Sequence, residues 1–430
     1  MTDNAPDLTS TPPVPSPDLV IQPFREGIRP VSSLSRFLVD TGTRQRVVGQ
    51  DVHDLLMLLQ GAPASWQRLA ERYAAATGRD VDVAELCRCV LDRMPADWFE
   101  AAPSQSAKHS PFLLQFELLS SRRLAPLTRR LAGLFHWWLA IPVIIGFLAI
   151  QVIVLSSAIM QIHQSASTGD MVLLFAGLAV TMLWHELGHL SACARSDGQH
   201  GGLGVGLYWV FPAMYAEVST AWRLPPPTRV LVDIGGLYFQ AMSVIAIGVY
   251  AILTGDALAF QLVWVVTFTM LHTLNPFFKF DGYWLLSDAT GLTNLHAQVR
   301  RTAVDMLRRL FGRPVAPAGD RKLRVMVLRV YMLLCGLYLA YVLTFLYGEI
   351  TLTLQQYPTV LTTAFSQAAN AFAVQDIGAL MQAFGGVLLA SIWPACLVIF
   401  STLICWTLLR RAVDIVTELF VALREVEGPV

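Results

Sequence analysis

The stretch WHELGH, residues 184–189, lies in a run from about 171 to 193 that is otherwise almost wholly apolar. His185 and His189 are four residues apart, so on a helix both imidazoles face one way and can bind one zinc ion. Glu186 projects beside them, where the general base for a zinc-activated water belongs. The alternative is a pair of buried, hydrogen-bonded histidines. Ionisable residues inside an apolar span are costly and usually functional, which favours the zinc site.

A third ligand is expected, because catalytic zinc sites use three protein ligands and keep the fourth position open. The stretch NPFFKFDG, residues 275–282, ends another apolar run and contains both proline and glycine. Broken backbone at membrane depth is tolerated only where protein or a water-filled cavity surrounds it. Asp281 is therefore the candidate ligand, and Asn275 is a candidate to hydrogen-bond the substrate or the oxyanion. The alternative for Asp281 is to cap the helix that starts at Tyr283.

HELGH at 185–189, followed by NPxxxxDG at 275–282, resembles the site-2-protease family of intramembrane zinc metalloproteases. The chain is most similar to the bacterial peptide zinc metalloprotease branch of that family. The resemblance covers roughly residues 112–300 and includes the blocks 211–224 and 291–295.

This resemblance implies three zinc ligands and one catalytic base: His185, His189, Asp281 and Glu186. One segment departs from the family pattern. Many members carry an asparagine on the next helix, where this chain reads GGLYFQ at 235–240. Gln240 is therefore a candidate for the substrate contact that the asparagine makes.

The composition indicates a mainly α-helical membrane protein. The 430 residues are 54% hydrophobic and only 14% charged, which suits a membrane core with one small soluble domain. The formal net charge is zero, so neither an acidic partner nor nucleic acid is indicated. Six runs are long enough to cross a hydrocarbon core. They are about 132–157, 171–193, 229–253, 257–276, 328–347 and 386–409.

The distribution of Lys and Arg predicts one orientation. The connections 158–170, 254–256 and 348–385 contain neither residue, whereas the other connections carry arginines. The positive-inside rule then places both termini in the cytoplasm, and the resemblance implies the inner membrane of a bacterium. In that orientation the three zinc ligands lie at similar depth, toward the cytoplasmic side.

The N-terminal part is predicted to be a small cytoplasmic α+β domain of winged-helix type. Residues 1–19 are proline-rich and predict a disordered tail. Residues 20–100 pattern as a hairpin around the turn at 40–42, followed by three short helices. This arrangement is similar to the domains that bind leader peptides in ribosomal-peptide maturation, through an unpaired strand edge. A plain folded cap and a DNA-binding winged helix are the alternatives; no dense basic helix supports DNA. Residues 101–130 are expected to be a linker.

The segment 201–216 is apolar, but too short and glycine-rich for a spanning helix, and predicts a re-entrant sheet or loop against the active site. In the family this region presents an edge to an extended substrate. Tyr215 and Glu217 either contact the substrate or simply line the site.

The rest of the chain divides into three predicted regions. Residues 131–290 form the catalytic membrane core, 291–327 an amphipathic cytoplasmic helix and loop, and 328–430 membrane helices with an external loop and a cytoplasmic tail. Within the core, Gly235-Gly236 is expected to let two helices pack closely. Asp233 is expected to pair with Arg229 at helical spacing rather than to act in catalysis.

These observations predict a zinc metalloendopeptidase that acts on a peptide or protein substrate in the lipid bilayer. The substrate is either a ribosomally made peptide precursor, handled together with an export system, or a membrane-bound regulator. The alternative is a non-enzymatic scaffold or exporter partner on the same fold.

Overall fold

A computed structural model of the chain is mostly helical, with two small antiparallel sheets. The structure describes residues 9–25, 27–28, 35–41, 45–99, 112–158, 168–196, 199–208, 211–292, 294–296, 298–299, 302, 308, 322–373 and 377–424. It forms two compact units, residues 1–293 and 294–430, and each is described by itself.

Four helices in the described part of the chain are long and apolar enough to cross a membrane, judged by length and composition. They are Trp137–Val154, Asp170–Arg195, Pro226–Thr254 and Val325–Ala373. The predicted span 257–276 corresponds to a shorter apolar helix of 17 residues, Ala257–Thr273. A membrane protein built from helices is therefore supported, whereas the predicted count of six spans goes beyond these four helices.

The N-terminal domain has the predicted hairpin and three helices. Strands β1 (Val20–Pro23), β2 (Arg36–Asp40) and β3 (Gln45–Gly49) pair antiparallel in that order. Helices α1 (Gln50–Gln60), α2 (Trp66–Thr77) and α3 (Val83–Arg88) follow. Their apolar stripes meet in one core, because residues three and four apart share a helix face. That core includes Leu55, Leu56, Leu59, Trp66, Leu69, Tyr73, Leu86 and Val90.

Part of the predicted N-terminal tail is folded, which corrects the expectation for residues 1–19. Residues 1–8 lie outside the described part. Pro15 forms a β-bridge with Phe99, and the Ser16 backbone N–H donates to the Trp98 carbonyl at 2.8 Å. Leu19 is buried in the domain core. The proline-rich composition therefore does not prevent this segment from pairing and burying a large apolar side chain.

Residues 101–130 were expected to be a linker, but beyond residue 111 they form a strand and a helix. Residues 100–111 are not described. Strand β4 (Phe112–Leu119) and helix α4 (Ser121–Leu131) occupy most of 112–130. Strand β4 pairs antiparallel with β5 (Leu203–Tyr208), which pairs with β6 (Phe211–Ala216). Strand β4 pairs with residues that lie 84 or more positions later in the chain. Local sequence does not reveal such a distant partner. The sheet expected at 201–216 is present, with β6 at its edge.

Helices α5 (Trp137–Ala158), α6 (Thr168–Arg195), α7 (Pro226–Thr254) and α8 (Ala257–Thr273) pack together in the first unit. Helix α6 crosses α7 where Gly188 meets Gly235, and a Cβ on Gly235 would lie 2.7 Å from the Gly188 carbonyl oxygen. Small residues let two backbones approach closely. The predicted role of Gly235-Gly236 in helix packing is confirmed.

Helix α8 ends at Thr273, and the backbone is irregular as far as helix α9 (Asp281–Thr290). A Cβ on Gly282 would overlap the Leu274 carbonyl, so this turn requires glycine. The predicted break between the two elements is present, and Asp281 begins α9 two residues earlier than the expected helix start at Tyr283.

The second unit contains two long helices, α10 (Lys322–Ala373) and α11 (Ile377–Arg424). The segment 348–385, expected to be a partly helical external loop, is helical in all its described residues. Alanine, the commonest residue of this segment, favours helix, and Pro358 lies inside α10 without ending it. Much of the region 291–327, predicted to be an amphipathic helix and loop, lies outside the described residues.

Candidate metal centre

Helix α6 presents His185 and His189 on its inner face. Both side chains are buried, at 4% and 6% exposure, and their Nε2 atoms are 3.0 Å apart. Spacing of four residues places them one turn apart on the same face. The glycine between them, Gly188, lets α7 close over this face, because a side chain there would overlap the Gly235 carbonyl.

Asp281 reaches the same point from the start of α9. Its Oδ2 atom lies 3.0 Å from His185 Nε2 and 3.4 Å from His189 Nε2. Residues 96 or 92 positions apart in sequence thus bring three metal-ligand atoms together, and this is the one such cluster among the described residues. The three predicted ligands meet.

The second nitrogen of each imidazole has its own hydrogen-bond partner. His185 Nδ1 lies 2.9 Å from Gln240 Oε1, and His189 Nδ1 lies 2.7 Å from the Val232 carbonyl oxygen. Both partners are acceptors, so each Nδ1 carries the proton and donates it. Each Nε2 is then left with a lone pair, as a metal-ligating histidine requires.

Three acceptor atoms therefore face one another without a hydrogen between them. Asp281 Oδ2 is buried and makes no hydrogen bond in this tautomeric arrangement. A proton on one Nε2 would relieve a single pair, whereas a cation between the three atoms satisfies all of them. Donors about 2.0–2.1 Å from a tetrahedral zinc ion lie about 3.3–3.4 Å apart. The observed separations of 3.0, 3.0 and 3.4 Å are close to that triangle.

Gly236 on α7 leaves the space that a metal ion would need. A Cβ there would lie 2.5 Å from His189 Nε2 and 2.6 Å from His185 Nε2. Any larger residue would therefore enter the region beside the ligand atoms. The residues present fit a zinc ion in donor type, separation and free space.

The Asp281 carboxyl is held in the form that binds metal. Burial raises its pKa, but His189 and His185, when they carry a proton, lower that pKa overall, below its usual value. Its carboxylate is therefore ionised at ordinary pH.

Glu186 lies beside the three ligands. It interacts electrostatically with all of them and accepts a hydrogen bond from the Ala216 backbone N–H at the end of β6. The backbone N–H of Glu217, the next residue, donates to the Gly202 carbonyl, and the Glu217 carbonyl accepts from the Gly201 N–H. Because backbone groups alternate in direction along a strand, the Ala216 N–H points away from β5, toward Glu186 on α6. The position suits a general base.

Asn275 lies in the irregular segment after α8. Its Oδ1 accepts a hydrogen bond from the Phe277 backbone N–H at 2.8 Å, a local turn that side-chain amides commonly form. With the oxygen used in this way, the Nδ2 group is the donor that the side chain can offer. A donor is what a developing oxyanion requires.

Tyr215 and Glu217 have local roles in the structure. The Tyr215 ring lies over Gly204, and its hydroxyl hydrogen-bonds Gln115. Burial raises the pKa of this phenol, although the Gln115 hydrogen bond lowers it, so the hydroxyl is neutral at ordinary pH. Glu217 is exposed and accepts hydrogen bonds from the Ser219 N–H and hydroxyl. Substrate contact by either residue stays a prediction.

Gln240 makes a contact that the sequence did not predict, and substrate contact by it stays a prediction. Its side chain is fully buried, and its Oε1 accepts a hydrogen bond from His185 Nδ1, which orients that imidazole. The Val232 carbonyl does the same for His189. Sequence reasoning missed both functions, because a backbone carbonyl has no sequence signature and Gln240 lies 55 residues from His185.

No protein-family model, curated protein or solved structure matches this chain.

Proposed function

We propose that the protein is an intramembrane zinc metalloendopeptidase, similar in its chemistry to the site-2-protease family. The supporting observation is the convergence of His185 Nε2, His189 Nε2 and Asp281 Oδ2 with separations of 3.0–3.4 Å. Three lone-pair donors face one another in a buried site and have a glycine-lined space beside them. Such an arrangement is stable when a divalent cation occupies it.

In the proposed reaction, His185, His189 and Asp281 would hold a zinc ion, which would supply Lewis acidity for water activation and for polarising the scissile carbonyl. Glu186 takes a proton from the attacking water at its carboxylate. As the carbon–nitrogen bond breaks, Glu186 delivers that proton to the departing amine. Asn275 Nδ2 donates a hydrogen bond to the carbonyl oxygen while negative charge develops there. Gln240 and the Val232 carbonyl keep the imidazoles aligned throughout.

The substrate is proposed to bind in extended form along β6. A helical substrate would hold its scissile amide in its own hydrogen bonds, whereas an extended one exposes it. The outer edge of β6 includes Met214 and Ala216, and it ends where Ala216 bonds Glu186. A strand added to this edge would run toward the general base.

The same proposal places the protein in the inner membrane of a bacterium, with six spans and both termini in the cytoplasm. Four apolar helices of spanning length support membrane association. The Lys and Arg pattern of the connections supports the orientation.

The proposed substrate is a ribosomally made peptide precursor, which the N-terminal domain would bind by its leader for maturation or export. Strand β1 covers one side of β2, so β3 is the hairpin strand that keeps an open edge. A leader strand would pair there. A membrane-bound regulator is the other substrate class.

The test compares peptide termini by mass spectrometry in cells that carry wild-type protein or Glu186→Gln. Glutamine keeps the shape of the side chain but cannot accept the proton, so new termini should depend on Glu186. The matched control is Glu71→Gln, an exposed glutamate on α2. Equal protein levels are confirmed by immunoblotting.

Termini present with wild-type and Glu71→Gln protein, and absent with Glu186→Gln, would identify both the activity and the substrate. Identical termini in all three strains, with the substrate expressed, would contradict the protease proposal and favour the scaffold alternative.

A further inference from the structure

Arg229, at the start of α7, joins three parts of the first unit. Its side chain is 2% exposed, and Nε donates to Asp288 Oδ1 of α9 at 2.9 Å. Nη2 donates to the Arg25 carbonyl at 2.9 Å, and the guanidinium lies 4.5 Å from the centre of the Phe24 ring. This ion pair is therefore covered by the N-terminal domain.

The covering segment also touches the end of α9. A Cβ on Gly27 would overlap the Gly291 backbone nitrogen, so the backbones of these two segments are in contact. The Phe24 ring stacks on Trp222, which precedes α7, at a centroid distance of 5.9 Å. We call residues 24–27 the clamp segment; Glu26 within it is not described.

The elements held by this segment are the ones that place the zinc ligands. Helix α9 begins with Asp281 and carries Asp288 two turns later. Helix α7 carries the Val232 carbonyl that orients His189, three residues after Arg229. The Arg229–Asp288 pair therefore ties the helix that orients one ligand to the helix that supplies another.

A second polar link continues toward the site. Asp288 shares a side-chain hydrogen bond with Asp233, one turn after Arg229 on α7. Arg229, expected to pair with Asp233, thus forms its ion pair with Asp288, while Asp233 interacts with Arg229 electrostatically and with Asp288 through this hydrogen bond. Removing one partner from such a buried network leaves an unpaired charge, which is costly.

We propose that the N-terminal domain, through the clamp segment and Arg229, sets the geometry of the zinc site. Arg229 is a positioning residue that acts through α7 and α9. Binding of a peptide that shifts the N-terminal domain would then change metal geometry and cleavage. This inference rests on the zinc site proposed above.

The test uses the full-length protein in detergent, loaded with Co²⁺, whose visible absorption reports ligand geometry. Gly27→Ala forces the clamp segment away from Gly291 without touching the site. The matched control is Gly49→Ala in the same domain, where a Cβ would make only ordinary contact, 3.6 Å from an arginine side chain. Phe24→Leu is a second variant that removes the ring over Arg229 and keeps an apolar side chain.

We expect Gly27→Ala and Phe24→Leu to weaken Co²⁺ binding at least tenfold and to alter the visible spectrum. Gly49→Ala should match wild type, and thermal unfolding should show that the compared variants are folded. A purely structural role would lower the unfolding temperature and leave the spectrum of the folded protein unchanged.

Wild-type spectra and affinities in both clamp variants would overturn this inference alone. Identical behaviour of wild type and His189→Ala, with no cobalt spectrum in either, would instead overturn the zinc site and this inference with it. Should Gly27→Ala fail to fold, the result for Phe24→Leu decides.

Discussion

The glycines of the α6–α7 crossing and those of the α10–α11 unit occupy opposite environments. A Cβ on Gly188, Gly235 or Gly236 would overlap backbone or the His185 and His189 imidazoles. Gly336 on α10 and Gly385 on α11 have no atom within 4 Å of the corresponding position. The same residue type thus permits close packing in one region and has open space beside it in the other.

The buried polar groups follow the same division. The α6–α7–α9 region buries His185, His189, Gln240 and Arg229, each with a specific partner. The described buried residues of α10 and α11 are hydrophobic, among them Leu346 and Leu397. Buried polar groups require partners, so they restrict how helices can pack, and apolar contacts do so much less.

The largest effect is expected for Gly236→Ala. The added methyl group would lie 2.5 Å from His189 Nε2, so zinc affinity should fall more than about 100-fold, beyond the range seen for loss of an outer hydrogen bond. Zinc bound per protein, measured by atomic absorption after dialysis against a weak chelator, checks this. Gly336→Ala is the matched control and should bind zinc normally. Equal zinc in both variants would remove the distinction between the two regions.

A smaller loss is expected for Gln240→Met, which removes the acceptor for His185 Nδ1 but keeps similar volume. Loss of such a partner typically lowers metal affinity about 10–100-fold. Gln240→Glu keeps an acceptor and should restore most of the affinity. Competition with a colorimetric chelator measures both variants. The role assigned to Gln240 is wrong if the methionine variant binds zinc as tightly as wild type.

Gly188→Ala should act on helix packing more than on the ligands. Its methyl group would overlap the Gly235 carbonyl, and overpacking of this kind costs about 1–3 kcal/mol. Thermal unfolding in detergent, followed by circular dichroism, should show a lower midpoint. Gly348→Ala on α10, where the space is open, is the comparison. A lower midpoint for Gly348→Ala, with no change for Gly188→Ala, would contradict the packing role of Gly188.

The smallest effect is expected for an isolated polar contact between helices. Gln151 on α5 donates to the Thr267 hydroxyl on α8 at 2.7 Å. Hydrogen bonds between membrane helices average about 0.6 kcal/mol, so Gln151→Leu should change unfolding free energy by about that amount. Steric-trap unfolding in bicelles resolves such a difference. A loss several times larger would show that polar contacts outside the zinc site also determine packing.

Sequence patterns predicted the helices and the ligands because both depend on local rules. The spacing of His185 and His189 predicts one shared helix face, and the Pro-Gly pair near Asp281 predicts a break there. The hairpin of the N-terminal domain followed from its turn residues. The shared helix face, the break before Asp281 and the hairpin are present in the described structure, whereas zinc binding stays a prediction.

Long-range pairing was beyond such rules. Strand β4 joins β5 across the whole of α5 and α6, and the clamp segment meets α9 more than 260 residues later. Nothing in the local pattern around Phe116 or Gly27 indicates these partners. The contact of Gln240 is equally hidden in the sequence. Its side chain reaches His185 only because α7 crosses α6 at Gly188.

The most direct test of the zinc site is X-ray absorption at the zinc edge on purified wild-type protein, with Asp281→Ala as comparison. The account predicts one zinc per chain with two imidazole nitrogens and oxygen ligands at about 2.0–2.1 Å, and loss of stoichiometric zinc in the variant. Sulfur ligands at about 2.3 Å, or equal zinc in both proteins, would contradict it.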